Sequence, residues 1–164
     1  MVGKMIEIIT GDLLEATEQY IAHQTNTISN GGAGGIARVI FVKYPYADCY
    51  LSRAKQDQAG TIDIRGNGSD QRLIINMHAQ IYPGSPRYPD SNLDGTLARE
   101  KYFHQCLLRI AKIPDLESIA FPWKIGCGLG GGIWAHYLGT LTNFAHYVEK
   151  MGVKVVIYRR DGDQ

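Results

Sequence analysis

Ile125-Gly126-Cys127-Gly128-Leu129-Gly130-Gly131-Gly132 places five glycines in eight residues, between the apolar run Ile119-Ala120-Phe121-Pro122 and a helix-like run that starts at Ile133-Trp134. A strand that ends in glycines just before a helix brings bare backbone N–H groups against something anionic. A second loop of this kind, Asn30-Gly31-Gly32-Ala33-Gly34-Gly35, follows the apolar run Tyr20-Ile21-Ala22-His23. Two such strand–glycine–helix junctions predict two clamps on one diphosphate, and so a nucleotide-like ligand.

Working outward, the chain alternates strand and helix signals. Met5-Ile6-Glu7-Ile8-Ile9 is short and β-branched and stops at Gly11-Asp12, which predicts a strand. Leu13 to Gln19 reads as a helical turn or short helix, and Tyr20 to Gln24 as a second strand. Ile36, Val39, Ile40 and Lys43 follow helical spacing, and Pro45 ends that helix near Tyr44. A short helical segment is expected over Ala47 to Ala54. Two strands, Thr61-Ile62-Asp63-Ile64 and Arg72-Leu73-Ile74-Ile75-Asn76-Met77, are joined through Gly66-Asn67-Gly68 as a hairpin. Residues 79–95, with three prolines, two glycines and two tyrosines, lack periodicity and read as a functional loop. Phe103, Cys106, Leu107 and Ile110 mark one face of a helix over Thr96 to Lys112. Trp134, Tyr137, Leu138, Leu141, Ala145 and Val148 mark the last helix, which Gly152 terminates before a closing strand from Val153 to Tyr158. The expected fold is a three-layer α/β/α sandwich with a mixed central sheet, one domain over residues 1–164.

Bulk properties narrow the function classes. A chain of 164 residues buries roughly two-thirds of its unfolded surface. Its 17 basic and 16 acidic residues carry no broad electrostatic footprint for nucleic acid. Cys49, Cys106 and Cys127 are odd in number and lack CxxC spacing, which argues against a disulfide framework or zinc knuckle. With no apolar membrane span and no signal-peptide core, the expectation is a cytoplasmic or otherwise intracellular protein. Neither glycine loop is a triphosphate cradle: G-x-x-x-x-G-K-[ST] is absent, and Gly32-Ala33-Gly34-Gly35-Ile36-Ala37 is not G-x-G-x-x-G.

Gly11-Asp12 after the first strand, His23-Gln24-Thr25-Asn26 running into Gly34-Gly35-Ile36-Ala37, and Ile125-Gly126-Cys127-Gly128-Leu129 before a helix together resemble a macrodomain. The resemblance spans Ile8 to Tyr158 and is strongest to the branch of ADP-ribose-1″-phosphate phosphatases and terminal ADP-ribose protein glycohydrolases. It implies an ADP-ribose cleft at the top of the sandwich. Asp12, with Leu13 beside it, then matches the acceptor for the adenine amino group, a donor that suits a carboxylate. Gly34, Gly35 and Ile36 match the loop whose amides bond the diphosphate, and Gly126, Cys127, Gly128, Leu129 and Gly130 match the opposing loop. Asn26 matches the position that bonds the distal ribose, donating to one oxygen while accepting from another. Tyr158, at the end of the last strand, either packs on adenine or belongs to the core.

For chemistry, His23 matches a histidine proposed as catalytic in the phosphatase branch, with an ordinary pKa suited to acid–base or nucleophilic work. Asn26 would position the ribose beside it. A histidine in an apolar strand is also an ordinary core residue. His78 ends another strand beside the long loop, and Asp90 and Asp94 are the carboxylates that loop offers to a cleft. Cys127 at a helix N-terminus invites a thiolate reading, against which stands the frequency of inert buried cysteines. Where the glycohydrolase branch uses a lysine and an aspartate, this chain has Gln80 and Gly130, and neither forms a lysyl adduct or acts as a base. Ile133 stands where related sequences carry an acidic residue.

The functional expectation is therefore binding of ADP-ribose or a derivative, with hydrolysis at its distal ribose. That would be dephosphorylation of ADP-ribose-1″-phosphate or removal of ADP-ribose from a modified protein or nucleic acid, without cofactor, metal or membrane. A non-catalytic ADP-ribose reader is the alternative. An RNA-binding reading from the GxxG spacing of Gly31-Gly32-Ala33-Gly34 is opposed by the absence of basic residues in that loop.

Overall fold

The structure, a computed structural model, describes residues 6–163. Six strands form one sheet: β1 (Ile6–Thr10), β2 (Tyr20–Asn26), β3 (Thr61–Arg65), β4 (Leu73–Gln80), β5 (Ser118–Pro122) and β6 (Lys154–Arg159), in spatial order β1-β6-β5-β2-β4-β3. Every neighbouring pair is parallel except β3 with β4, the hairpin expected through Gly66-Asn67-Gly68. Three helices complete it: α1 (Gly35–Lys43), α2 (Thr96–Ile110) and α3 (Trp134–Glu149).

Strand periodicity distributes the layers. On one face Tyr20, Ala22, Ile75, Met77, Ile119 and Val155 pack with Phe103 and Leu107 of α2 and Tyr137 and Leu141 of α3. On the other, Ile21, Ile74 and Ala120 meet Ala37, Ile40 and Phe41 of α1. Both faces of the parallel strands are thus covered, which is why β2 and β5 read as apolar runs rather than alternations. This mixed α/β sandwich is the expected fold class.

Several boundaries differ from the sequence reading. Met5 lies outside the described residues, and the first strand runs on to Thr10. Leu13–Glu15 is a single 3-10 turn capped by the Asp12 side chain. β2 continues two residues past Gln24, so Asn26 is its last residue. The helix expected over 47–54 is replaced by a 3-10 turn, Pro45–Ala47. After it, Asp48 Oδ1 accepts from the amides of Tyr50 and Leu51, and Ser52 adopts φ 61°, which breaks a helix. Ala79 and Gln80 belong to β4 rather than to the long loop. In α1 the buried side is Ala37, Ile40 and Phe41, while Ile36 and Val39 are exposed. No helix among the described residues is long and apolar enough to cross a membrane.

Candidate functional site

All parallel strands end at one edge of the sheet, at Thr10, Asn26, Gln80, Pro122 and Arg159. Ligands of open α/β sheets gather outside these carboxyl ends. Here that edge bears a cleft of about 870 Å³. The two glycine loops form its facing walls. Gly34, Gly35, Ile36 and Ala37 line one side and Gly126, Gly128, Leu129 and Gly130 the other.

The walls present unspent amides. In α1 the first helical bond runs from Arg38 N to Gly34 O at 3.3 Å, so the amides before Arg38 have no partner within the helix. Opposite, Gly131 N bonds Gly128 O and Gly132 N bonds Gly126 O, and these bonds curl the loop. Among the described residues, no backbone carbonyl takes up the amides of Gly128, Leu129 or Gly130. Gly126 is required by space: at φ 78°, a Cβ there would stand 2.5 Å from Tyr137 Cε2 and 2.9 Å from Gln24 Oε1. The buried Tyr137 ring therefore sets how low this wall sits.

At the β1–β6 end, Asp12 and Tyr158 line the cleft with Leu13. Asp12 Oδ1 is bound to the amide of Leu14 at 2.9 Å, which leaves Oδ2 for a ligand. Tyr158 donates its hydroxyl to the buried Glu18 carboxylate at 2.7 Å, and burial together with that carboxylate pushes its pKa up to about 12. With its oxygen committed, Tyr158 offers the cleft its ring. Arg160 and Asp163, in the turn after β6, and Lys124, after β5, also border the cleft. Nothing in the spacing of Arg160 and Asp163 shows that the C-terminal turn borders this edge, and Lys124 carries no sequence signal of its own.

At the β2–β4 end the lining is uncharged: Gln24, Thr25, Asn26, Tyr50 and Gln80. Asn26 Oδ1 accepts from the amides of Ile28 at 3.1 Å and Ser29 at 2.8 Å. Its side chain therefore meets the cleft as a donor only, not as the donor–acceptor pair expected from sequence. The Tyr50 hydroxyl accepts from Asn26 N at 2.9 Å, and Arg53 donates to the carbonyls of Asn26 and Ser29. Gln24 Nε2 donates to Gln80 Oε1 at 2.8 Å, and Gln80 Nε2 donates to Tyr82 O at 2.9 Å. A register shift between β2 and β4 at Thr25/Asn26 pairs Asn26 with Gln80 rather than with Ala79. Such an irregularity re-aims side chains at a strand end.

The structure separates His23 from this cleft. His23 is fully buried on the α1 face of β2, edge-on to Phe41 at 5.3 Å, and hydrogen-bonded through Nε2 to Asn76 Oδ1 at 2.6 Å. Asn76 in turn donates to Ala47 O and Asp63. Burial outweighs the Asn76 bond and pulls the His23 pKa down to about 4. His23 lies three residues inside the end of β2, beneath the sheet edge, whereas Gln24, Thr25 and Asn26 reach the rim. His78 is likewise buried, shares 2.7 Å with Thr25 Oγ1, lies 3.5 Å from Asp57, and is held below its ordinary pKa by burial.

Cys127 does not line the cleft: its thiol turns to Ile125 O at 3.4 Å, and burial raises its pKa to about 11, far from a thiolate nucleophile. Asp94 is buried in an ion pair with Arg99 at 2.7 Å, and Asp90 lies outside the lining. Among the described residues no group of three His, Cys, Asp or Glu side chains is placed to hold a metal ion.

No protein-family model matches the chain, and no curated protein matches it. Solved structures do. The macrodomain of Thermus aquaticus DarG superposes with a TM-score of 0.71 at 25% identity, over 96% of this chain and 99% of that one. The macrodomain of Mycobacterium tuberculosis DarG gives a TM-score of 0.71 at 24% identity, over 95% and 98%. A mutant of the Oceanobacillus iheyensis macrodomain with ADPR gives 0.63 at 23% identity, over 96% and 87%. With TM-scores of 0.71 and near-complete coverage of both chains, the chain has the macrodomain fold.

Proposed function

We propose that the cleft binds ADP-ribose or a close derivative, with the diphosphate between the two glycine loops. The observation that carries this is the pair of facing walls, where among the described residues no backbone carbonyl takes up the amides of Gly35, Ile36 and Ala37 on one side or of Gly128, Leu129 and Gly130 on the other. Oriented amides at a helix N-terminus and in a glycine turn recognise an anion without a lysine. A superposable macrodomain was solved with ADPR, which supports the same ligand here. In this reading Asp12 Oδ2 accepts from the adenine amino group, Leu13 and the Tyr158 ring flank the base, and the Asn26 amide donates to the distal ribose.

The distal end decides between turnover and recognition. The cleft's charged side chains, Asp12, Lys124, Arg160 and Asp163, follow β1, β5 and β6, whereas the β2–β4 half is lined by amides and hydroxyls. With His23 buried and Gln80 engaged by Gln24, that half holds no carboxylate, imidazole or amine for general acid–base work. This favours a reader of ADP-ribose. Hydrolysis at the distal ribose, as in the phosphatase and glycohydrolase branch that the motifs resemble, is the second reading. Its support is the Asn26 amide and the Tyr50 hydroxyl at that end.

Phosphorus NMR with ADP-ribose and ADP-ribose-1″-phosphate tests both readings. Perturbed diphosphate signals without phosphate release mean a reader, and released phosphate with intact diphosphate means a phosphatase. Unperturbed spectra with both compounds overturn the ligand assignment.

A further inference from the structure

Arg99 lies in the first turns of α2, only 2% exposed, yet its guanidinium contacts neither the cleft nor solvent. Nη1 donates to Gly84 O at 2.6 Å and to Gly130 O at 3.2 Å. Nη2 donates to Tyr82 O at 3.1 Å and to Asp94 Oδ2 at 2.7 Å, and Nε reaches Asp94 Oδ1 at 3.2 Å. Asp94 in turn accepts from the amides of Ile81 at 2.7 Å and Tyr82 at 3.0 Å. One buried ion pair thus holds the start of the loop after β4 and, through Gly130, the glycine loop after β5. Gly84 and Gly130 both line the cleft. Among the described residues, the one other side-chain bond between these loops is that of the Ser85 hydroxyl to Leu129 O at 3.3 Å, which is exposed and long.

We infer that Arg99, charge-balanced by Asp94, is a positioning latch that makes the 81–84 and 126–132 loops move as one wall of the cleft. A planar guanidinium with five donors meets the carbonyls of Tyr82, Gly84, Asp94 and Gly130 and the Asp94 carboxylate at once, which one ammonium cannot do. Buried charge is a costly way to add stability, because an apolar pair of similar volume often does as well. What the pair supplies instead is the fixed direction of the Gly130 carbonyl, and with it the orientation of the neighbouring amides of the glycine turn. Preorganised amides bind an anion without the cost of ordering them. The link to affinity rests on the ADP-ribose reading, whereas the coupling of the loops does not.

The test compares Arg99→Lys, Arg99→Met and the double variant Asp94→Asn/Arg99→Met in the full chain. The double variant removes the uncompensated buried carboxylate, so its melting temperature recovers relative to Arg99→Met while the carbonyls of Tyr82, Gly84 and Gly130 stay unlatched. Amide hydrogen exchange is measured on the ligand-free protein, and calorimetric titration uses ADP-ribose. Exchange at Gly131, Gly132 and Tyr82 is expected to quicken at least tenfold in all three variants, with β4 and α2 amides still protected. ADP-ribose affinity is expected to fall at least tenfold and to stay low in the double variant. Unchanged loop exchange in Arg99→Met, or affinity that returns together with the melting temperature, overturns the latch. A wild-type protein that ignores ADP-ribose refutes the ligand instead, and the exchange data then judge the latch alone.

Discussion

The Leu129 side chain closes against Gly35 across the mouth of the cleft: a Cβ on Gly35 would stand 3.0 Å from Leu129 Cδ1. Gly34 stands almost as near, with 3.2 Å for the same comparison. The two glycine loops therefore touch at their lips, and the width of the diphosphate channel depends on the absence of side chains there.

Gly34 is the cleaner position for testing this. Gly35 has φ 57°, so a valine there adds roughly 1–2 kcal/mol of left-handed strain and confuses folding with binding. Gly34 has an extended backbone at φ −120°, open to any residue. Gly34→Val is expected to lower ADP-ribose affinity at least tenfold while the urea midpoint of unfolding stays near wild type. Retained affinity in a titration would mean that the diphosphate does not pass between these loops.

Asp12 has two separable duties. Its Oδ1 caps the 3-10 turn at Leu14 N, and the residue lines the cleft, where Oδ2 is left to act as an acceptor. Asp12→Asn keeps a cap acceptor but turns an N–H toward the ligand's own donor. ADP-ribose binding should weaken by about 1–3 kcal/mol with the melting temperature little changed. Asp12→Ala should lose roughly 1 kcal/mol of stability as well, because the cap is gone. Equal affinity in Asp12→Asn and wild type would remove this residue from the adenine site.

Asn26 can be split in the same manner. Asn26→Asp preserves the oxygen that holds Ile28 and Ser29 and replaces the cleft-facing donor with negative charge. The fold should persist, seen as unchanged far-ultraviolet circular dichroism, while ADP-ribose affinity falls by at least tenfold. Undiminished binding would place the distal ribose elsewhere.

His23 makes stability depend on pH with a definite sign. Its pKa falls from 6.5 in the unfolded chain to about 4 in the fold, chiefly through burial, so between those values the unfolded state binds more protons. Stability is therefore complete above pH 6.5 and declines as pH falls toward 4, by about 3 kcal/mol over the window. His78, also lowered by burial, acts with the same sign. Urea unfolding at a series of pH values should show this slope, and His23→Leu should reduce it. His23→Leu should also lower stability at neutral pH by leaving Asn76 Oδ1 without its donor. A variant with wild-type stability and slope would contradict the buried, neutral assignment.

The six strands to within a few residues, the three long helices and both glycine loops are legible in the chain itself, because hydrophobic period and glycine placement are local properties, whereas the helix expected over 47–54 is not formed. The helix starting near Gly35 stops before Pro45 as proline sterics require, and the hairpin at Gly66-Asn67-Gly68 is a turn written in three residues. Asp12 stands out at the end of the first strand, and Asn26 through its place in the resemblance. The direction in which each points is not legible, since Oδ1 of both is consumed by nearby amides that only the folded turn brings within reach.

What tertiary structure alone decided concerns pairing across long separations and depth below the sheet edge. His23 and Asn26 are three residues apart, yet the first is buried beneath the edge beside Asn76 and a register shift against β4 brings the second to the rim. Arg99 resembles any surface arginine of an amphipathic helix until Gly84 and Gly130 are folded against it. Local sequence determines which backbone can form and where it turns. The partners of each polar atom depend on chain crossings that no short window of sequence contains, and those partners determine which groups remain free to meet a ligand.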